Sequence, residues 1–294
     1  MVVFHAHACA AAGIPAVIDT GRRALLARRK RQLGIQFPAA VAEWYAIAGA
    51  VERVAEHSIH DIVPLEQLGL AADGRDLAVG RLLLAVENQG CCDWVVPLPP
   101  TGLASYDISL PGMASIAEHQ AVWARAADPP VYLSESGEPA ATWTLAAPRF
   151  STYTHAEAWD SAWFPPPHTT AVYDVPFHDE DLAVLQEQFV AGPRTYGWAD
   201  CFGGPGLTIY RFERPGQQVW VATHPEQTEW WLSADSAASL AALTDLLASA
   251  NQANQALAEE LRKGWVWTGS DWARPTDAAT KPGHHPGSTV TGPR

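Results

Sequence analysis

The chain has little lysine, little cysteine and no long apolar run. Three lysines stand against sixteen arginines, a bias that, with abundant Ala, Gly and Pro, is typical of a GC-rich bacterial genome. No stretch approaches the ~20 apolar residues of a membrane span. The four cysteines have no metal-ligand spacing, and free thiols are typical of a reducing cytoplasm. We therefore expect a cytoplasmic protein that is not inserted in a membrane.

Positive charge is concentrated in one short stretch. Six cations and no acid fall within the ten residues Arg22 to Arg31; the whole chain carries −13, so the other 284 residues carry −19. A body of that charge repels nucleic acid and anionic membranes and attracts basic partners. The basic stretch is either a patch that binds nucleic acid or membrane, or the solvated face of a helix with Leu25, Leu26 and Leu33 turned inward. We favour the helix face, because it is small beside the acidic remainder.

The first half of the chain predicts two helices near its start. Arg22 to Gln32 is expected to be a helix that Gly34 ends. Pro38 to Ala48 is expected to be a second, because Pro suits a first turn and the apolar residues recur at helical spacing. That spacing places one buried stripe on Val41, Trp44, Tyr45 and Ala48.

The stretch from Leu82 to Pro97 predicts two strands joined by a polar corner. The apolar run Leu82 to Val86 indicates a buried strand, and the run Trp94 to Val96 indicates its partner. Between them lie Glu87-Asn88-Gln89 and the turn residue Gly90. Polar side chains at the end of a buried sheet are well placed for recognition, but they do not by themselves indicate chemistry.

Composition divides the chain into four segments. The mildly apolar N-terminal residues Met1 to Val17 lack the basic start of a signal peptide and are expected to be either a frayed extension or the product of a wrongly assigned start. The stiff Pro165-Pro166-Pro167 marks a boundary, and beyond it a helix, an antiparallel meander and a long helix capped by Ser236 predict a small α+β unit. The expected limits are 1–21 for an N-terminal extension, 22–164 for the first domain, 168–263 for the second, and 264–294 for a mostly disordered tail.

Two histidine pairs could be taken for metal ligands. His5 and His7 follow Val2-Val3-Phe4, and a strand followed by H-x-H places two imidazoles in some metal-dependent hydrolases. No succession of strands and helices follows to supply the remaining ligands, so we expect no metal site. His57 and His60 are three residues apart beside Asp61, but Pro64 disfavours a helix there, and surface histidines are the favoured interpretation.

Nucleophilic catalysis also lacks its residues. No G-x-S-x-G motif and no phosphate-binding loop is present. Cys91 and Cys92 lie near Glu87 and Asp93, whose negative charge raises a thiol pKa, so buried packing cysteines are favoured over a reactive thiol. Glu87 and Asp93 could act as paired glycosidase carboxylates, but no sugar cleft can be inferred. We expect neither enzymatic activity nor a cofactor.

Several short motifs occur in an order that resembles the SUKH superfamily, named for a yeast cell-wall-synthesis regulator and its bacterial relatives. The resemblance covers roughly residues 22 to 164. The matching pieces are Leu33-Gly34-Ile35-Gln36-Phe37-Pro38 with Glu43-Trp44-Tyr45 and Gly49, Val63-Pro64-Leu65 with Leu68, Glu87-Asn88-Gln89-Gly90 with Trp94 and Pro97-Leu98, Asp128-Pro129-Pro130-Val131, and Phe150 to Trp159. The segment Thr101 to Ala127 is longer than the family pattern, and the Gly-rich segment expected after the second helix is thin.

The resemblance implies an α+β fold: a mixed sheet with helices packed on one side, followed here by the second small unit. It also implies a non-enzymatic role, since many bacterial members are immunity proteins that bind and neutralise a cognate toxin, frequently a nuclease. The net negative charge of the chain outside Arg22 to Arg31 favours a basic protein partner. The alternatives are a cytosolic signalling or scaffold protein of the same fold and, more distantly, a metal-dependent hydrolase that uses His5 and His7.

The resemblance and the charge together predict where a partner binds. The hypothesis is that Glu87, Asn88, Gln89 and Asp93, flanked by Trp94, line an acidic cleft. The alternative is that Asn88 and Gln89 satisfy backbone groups at a strand end while Trp94 belongs to the core. For Trp94 the core is favoured, whereas for Glu87 and Asp93 both interpretations stay open, because charged groups seldom bury unpaired.

Overall fold

The structure is a computed structural model of the whole chain. It describes residues 1–58, 60–69, 81–90, 92–98, 126–135, 144–163, 168–173, 175–199, 202–224 and 227–250, together with residue 259 and the pairs 266–267 and 272–273. The loop expected over 71–80, residues 116–125 of the partly helical segment expected over 116–127, the tail from 275 onward, Cys91 and Cys201 lie outside the described residues; residues 126 and 127 are described and are not helical. Among the described helices, none is long and apolar enough to cross a membrane.

Helices and strands are both present, and the expected α+β class is confirmed. The helices are α1 (Ala6–Ala11), α2 (Thr20–Leu33), α3 (Ala39–Ala46), α4 (Ala50–Ala55), α5 (Phe150–Trp163), α6 (Asp179–Gln188) and α7 (Ala237–Ala250). The strands are β1 (Asp61–Ile62), β2 (Arg81–Val86), β3 (Cys92–Pro97), β4 (Val131–Glu135), β5 (Thr144–Ala147), β6 (His168–Tyr173), β7 (Val190–Ala191), β8 (Thr195–Ala199), β9 (Phe202–Arg214), β10 (Gln217–His224), β11 (Gln227–Ala234), β12 (Val266–Trp267) and β13 (Trp272–Ala273).

Contacts divide the chain into two compact units. The first unit consists of residues 1–164, 190–212 and 221–226, and the second consists of 165–189, 213–220 and 227–294. The second unit contains α6, β6, β11 and α7, and its helix α7 begins with Ser236 Oγ accepting the Ser239 N–H at 3.1 Å, the cap expected from the sequence. The domain limits expected from the sequence stay a prediction.

The five-stranded sheet of the first unit follows the order of the sequence, β1-β2-β3-β4-β5. Every pair in it is antiparallel, and β2 and β3 pair Leu82 with Val96 and Val86 with Asp93. The expectation of a mixed sheet is therefore wrong. Each strand pairs with the next one along the chain, and such neighbours run in opposite directions. The second sheet has the order β13-β12-β6-β11-β10-β9-β7, with β8 paired to β9, so the expected meander of consecutive strands is confirmed.

The two predicted helices near the start are confirmed with small changes of boundary. Helix α2 begins after Asp19, whose carboxylate accepts the Arg22 N–H at 2.7 Å, and it ends at Gly34 with a φ of 68°, a backbone conformation that favours glycine. On α3 the expected stripe is buried at Val41, Trp44 and Tyr45. Helix α4, which the sequence interpretation missed, follows at once. It is only six residues long, too short for a clear apolar period.

The expectation of a frayed N-terminus is wrong. Residues 6 to 11 form α1, and Ala8, Cys9 and Ala12 belong to the core of the first unit. The Glu43 carboxylate accepts hydrogen bonds from the N–H groups of Val3, Phe4 and His5. This contact is about 40 residues away along the chain, and local composition gives no sign of it.

Helix α5 begins differently from the expectation that Thr152 or Thr154 caps it. It starts at Phe150, and the carboxylate of Asp128 accepts the Ser151 N–H at 2.9 Å and the Ser151 hydroxyl at 2.5 Å. The cap therefore comes from a residue before β4 rather than from the helix itself. Thr154 lies within the helix, beside His5.

Candidate functional site

The corner between β2 and β3 is a tight hairpin, referred to below as the β2–β3 corner (Glu87 to Gly90). The Glu87 N–H donates to the Cys92 carbonyl at 2.9 Å, and the Gly90 N–H donates to the Glu87 carbonyl at 2.7 Å. Gly90 has a φ of 73°, which glycine adopts without the steric penalty of a Cβ. The main chain of the corner is therefore fixed by its own hydrogen bonds.

Only part of the predicted site reaches the surface of the corner. Asn88 and Gln89 are exposed, whereas Glu87 has only 5% of its surface exposed. The Glu87 Oε2 accepts the Gln89 N–H at 2.7 Å, so its carboxylate holds the loop in place. Two adjacent amide side chains thus stand on a rigid turn.

Asp93 and Trp94 lie behind the corner rather than on it. Asp93 has 8% of its surface exposed, and its Oδ2 lies 3.5 Å from Nη2 of Arg81, which also donates through Nη1 to Ser134 Oγ at 3.1 Å. Trp94 is buried in the core of the first unit, so the interpretation favoured for it is confirmed. Glu87 and Asp93, which were expected to form the acidic floor of a cleft, are instead buried. Each carboxylate has a polar partner inside the fold, so its burial is tolerated. Binding of a partner at the five residues stays a prediction.

A group of ionisable side chains lies beside the corner, referred to below as the polar cluster (His60, Glu157, Asp160 and Arg211). Arg211 on β9 is buried and holds Asp160 on α5 through two parallel bonds, Nε to Oδ1 at 2.7 Å and Nη2 to Oδ2 at 2.5 Å. Its Nη1 donates to the Pro193 carbonyl at 3.1 Å and to Thr195 Oγ1 at 2.9 Å. This bidentate pairing fixes the end of α5 against β9.

Glu157 lies one turn before Asp160 on the same helix. Burial raises the pKa of the Glu157 carboxyl to about 8, and the neighbouring Asp160 carboxylate adds to the rise, while Arg211, Ser58 and Tyr153 oppose it. Glu157 is therefore mostly uncharged at pH 7. A neutral carboxylic acid beside a paired carboxylate can donate a proton, which is the chemical capacity of this cluster.

His60 connects the polar cluster with the predicted site. Its ring lies 4.2 Å from the ring of Trp94, and it is half-buried, not the surface histidine expected; His57 is exposed as expected. Burial lowers the pKa of His60 to about 4, although the carboxylates of Glu87, Asp160 and Asp61 act in the opposite direction. Its Nδ1 has no hydrogen-bond partner among the described residues. The neutral ring thus sits between the hydrophobic core and three acids.

The sequence interpretation missed this cluster. Its members come from positions 60, 157, 160 and 211, and only the i, i+3 spacing of Glu157 and Asp160 on one helix was visible in advance. Two of the groups around Arg211 come from the chain before β9: Thr195 on β8 accepts from its side chain, and the Gly192 N–H donates to its carbonyl. Arg211 itself was a possible signal, because an arginine among the alternating apolar residues of a strand needs an acidic partner if it is buried.

The H-x-H pair does not form a ligand pair. His5 is fully buried; its Nε2 donates to the Ala40 carbonyl at 2.8 Å, and its Nδ1 lies 2.9 Å from Thr154 Oγ1. His7 is exposed on α1, and its ring stacks on that of His155 with centroids 5.7 Å apart. Both nitrogens of His5 are therefore in use. Within the described part of the chain, no group of three or more His, Cys, Asp or Glu side chains is arranged to hold a metal ion.

No protein-family model matches the chain, and neither a curated protein nor a solved structure matches it. The function therefore has to be inferred from the β2–β3 corner, the polar cluster and the sequence motifs.

Proposed function

We propose that this chain is a non-enzymatic protein-binding module of the cytoplasm, an immunity protein that neutralises a cognate bacterial toxin such as a nuclease. The observation that carries the proposal is the β2–β3 corner, where the buried carboxylate of Glu87 fixes a turn that presents Asn88 and Gln89 to solvent. A turn whose main chain is already fixed can bind a partner with a smaller loss of conformational entropy than a mobile loop. The resemblance of the motifs to the SUKH superfamily supports the same role.

The charges around the corner favour a basic partner. Asp61 on β1 is exposed and pairs with Val86, the residue before Glu87. Asp160 keeps 37% of its side chain exposed, and the carboxylates of Asp61, Asp160 and Glu87 all act on His60. The nearby cations Arg81 and Arg211 are both paired with acids. Negative charge around the two amides would steer a basic surface, such as that of a nuclease, toward the corner.

The first experiment tests whether a cognate partner exists. The chain is co-expressed with the product of the adjacent gene, and complex formation is followed by co-purification and by rescue of growth. Immunity predicts a stoichiometric complex and restored growth. No complex with any neighbouring gene product, together with no rescue, would overturn the proposal and leave a signalling or scaffold role as the better account.

The second experiment tests the surface. The double variant Asn88→Ala with Gln89→Ala is expected to weaken the complex about tenfold or more, since the few anchoring residues of an interface carry most of its affinity. The matched control is Gln186→Ala, an exposed amide on α6 of the second unit, which is expected to leave the affinity unchanged. Equal affinities for the wild type and the double variant would remove the corner from the interface.

A further inference from the structure

Three histidines meet where α1 packs against α5, a contact referred to below as the α1–α5 seam (His5, His7 and His155). The ring of His7 on α1 stacks on that of His155 on α5 at an interplanar angle of 27°. His5, which precedes α1, reaches Thr154 of α5. Helices α1 and α5 pack against each other along this line. Imidazole rings thus line the contact with α5, beside the apolar contacts of Ala8, Cys9 and Ala12 and the three hydrogen bonds to Glu43.

His5 is buried, and both nitrogens of its ring are hydrogen-bonded. The Ala40 carbonyl can only accept, so Nε2 carries a proton, while Nδ1 lies 2.9 Å from Thr154 Oγ1, whose hydroxyl donates to the Ser151 carbonyl at 3.2 Å. The rings of Trp44 and Phe150 lie 5.2 Å and 5.6 Å from the imidazole. Burial among them lowers the pKa of His5, although Glu43 and Asp128 face it and act in the opposite direction.

The two acids that face His5 already have other partners. Glu43 accepts three main-chain N–H groups from the N-terminal segment, and Asp128 accepts from Ser151. Neither carboxylate makes a direct hydrogen bond to the imidazole, whose two nitrogens are used elsewhere. A second proton on His5 would therefore be buried without a direct counter-ion.

His155 is surrounded by further positive or ionisable groups. His7 faces it from α1 and Arg211 faces it from β9, while Asp160, on the same helix, is already paired with Arg211. Burial lowers the pKa of His155 to about 4, and His7 and Arg211 add to the effect, against Asp160. A proton on His155 would thus add a second positive charge near Arg211 on the face where α1 docks.

Two main-chain hydrogen bonds mark where the segment released with α1 would end. The Ala48 N–H donates to the Val17 carbonyl at 3.0 Å, and the Asp19 N–H donates to the Ala46 carbonyl at 2.8 Å. These two bonds fix the chain to the end of α3 immediately after α1. Both bonds lie outside residues 1 to 16, so they would be kept if that segment left α5.

We propose that the α1–α5 seam is an acid-released latch, in which protonation of His155 at its stacking contact with His7 favours release of residues 1 to 16 while the rest of the first unit keeps its fold. A histidine whose pKa is lower when docked than when released binds more protons in the released state. Docking is then fully favourable above the ordinary pKa of 6.5 and weakens as the pH falls from 6.5 toward 4. At pH 5.5, His155 alone shifts the equilibrium about tenfold toward release.

Two buried cysteines make the latch measurable. Cys9 lies on α1 and Cys92 lies on β3, and both are buried cysteines outside any disulfide. The full chain is treated with 4,4′-dithiodipyridine, a disulfide that thiols attack at acid pH; each cysteine sulfur forms a mixed disulfide and releases one thiopyridone. Peptide mapping gives the rate at each site, normalised to an unstructured peptide thiol at the same pH. Release predicts that Cys9 labelling rises at least about tenfold between pH 7.5 and pH 5.5 while Cys92 labelling does not change.

Variants then assign the response to the histidines. His155→Gln is expected to remove about tenfold of the pH response at Cys9, because it deletes one titrating group from the half-buried face of α5. His57→Gln, on an exposed histidine outside the seam, is the matched control and is expected to keep the full response. Cys9 and Cys92 becoming reactive together would show global unfolding and overturn the proposal. So would a Cys9 rate independent of pH, or a full response in His155→Gln.

Discussion

Arg211 on β9 and Asp160 on α5 form a bidentate ion pair, with Nε and Nη2 each donating to one carboxylate oxygen. The arginine is buried and the carboxylate is partly open to solvent. The pair holds α5 in place, and α5 carries Glu157 and His155. The polar cluster and the α1–α5 seam therefore both depend on this ion pair. A variant that removes the pair tests this dependence.

Replacing Arg211 by Leu is expected to lower the free energy of unfolding by about 2–4 kcal/mol. The change removes four hydrogen bonds and leaves Asp160 without its counter-ion, although the exposed part of that carboxylate limits the loss. Urea denaturation followed by tryptophan fluorescence measures it. Arg23→Leu, at an exposed position on α2, is the control and is expected to change stability by less than about 0.5 kcal/mol. Equal losses for the two variants would contradict a structural role for the pair.

Glu157 is expected to make stability fall as the pH rises. Its pKa is raised from 4.5 to about 8 in the folded protein, so between these values the folded state binds more protons than the unfolded state. The free energy of unfolding therefore decreases with pH across that window, which is the opposite sign to a salt-bridged carboxylate. Glu157→Gln keeps the shape and removes the titration. The variant is expected to be more stable than the wild type at pH 8.5, on the order of 1–3 kcal/mol, with a smaller difference at pH 5.

The comparison for Glu157 is a pair of urea titrations at the two pH values. Glu66→Gln, at an exposed carboxylate, provides the matched control and is expected to leave the pH dependence as it is in the wild type. If Glu157→Gln shows the same change of stability between pH 5 and pH 8.5 as the wild type, Glu157 is not a neutral acid in the folded protein.

Glu43 is expected to hold the N-terminal segment at neutral pH. Its carboxylate accepts three main-chain N–H groups, at 2.8, 2.7 and 3.1 Å, and charge-assisted hydrogen bonds of this kind are stronger than neutral ones. Glu43→Ala is expected to cost about 2–3 kcal/mol and to expose Cys9 to labelling at pH 7.5. Cys92 labelling is the internal control, and an unreactive Cys9 in this variant would show that the three bonds do not hold α1.

The cost of replacing Gly90 is expected to depend on how readily the new residue adopts a left-handed backbone conformation. A Cβ at this position would meet no atom within 4 Å, so the cost comes from the φ of 73° alone. Gly90→Ala is expected to destabilise the protein by about 1–2 kcal/mol, and Gly90→Asn by less, because Asn adopts left-handed conformations more readily. Thermal unfolding of the two variants gives the comparison. An equal effect would mean that crowding, rather than backbone strain, decides the cost.

The local features of the first unit follow from the sequence. The stop of α2 at Gly34, the buried stripe of α3 and the strand pair around the β2–β3 corner were all predicted, because each depends on neighbouring residues. The N-terminus was expected to fray and instead forms α1, since the Glu43 carboxylate that fixes it comes from a distant helix. The predicted acidic floor failed to reach the surface for the same reason: Arg81 and Ser134, which accompany Asp93, arrive through strand pairing.

The sequence by itself determined the α+β class, the helix and strand periods, the turn at Gly90 and the negative charge of the body, because these depend on short-range sterics, hydrophobic spacing and counted charges. The tertiary structure alone decided that Glu87 and Asp93 are buried, that Glu157 is a neutral acid, and that His5, His7 and His155 meet at one seam. Those properties depend on which distant groups share a desolvated space. Burial and long-range ion pairing set them, and neither can be read from the order of residues along the chain.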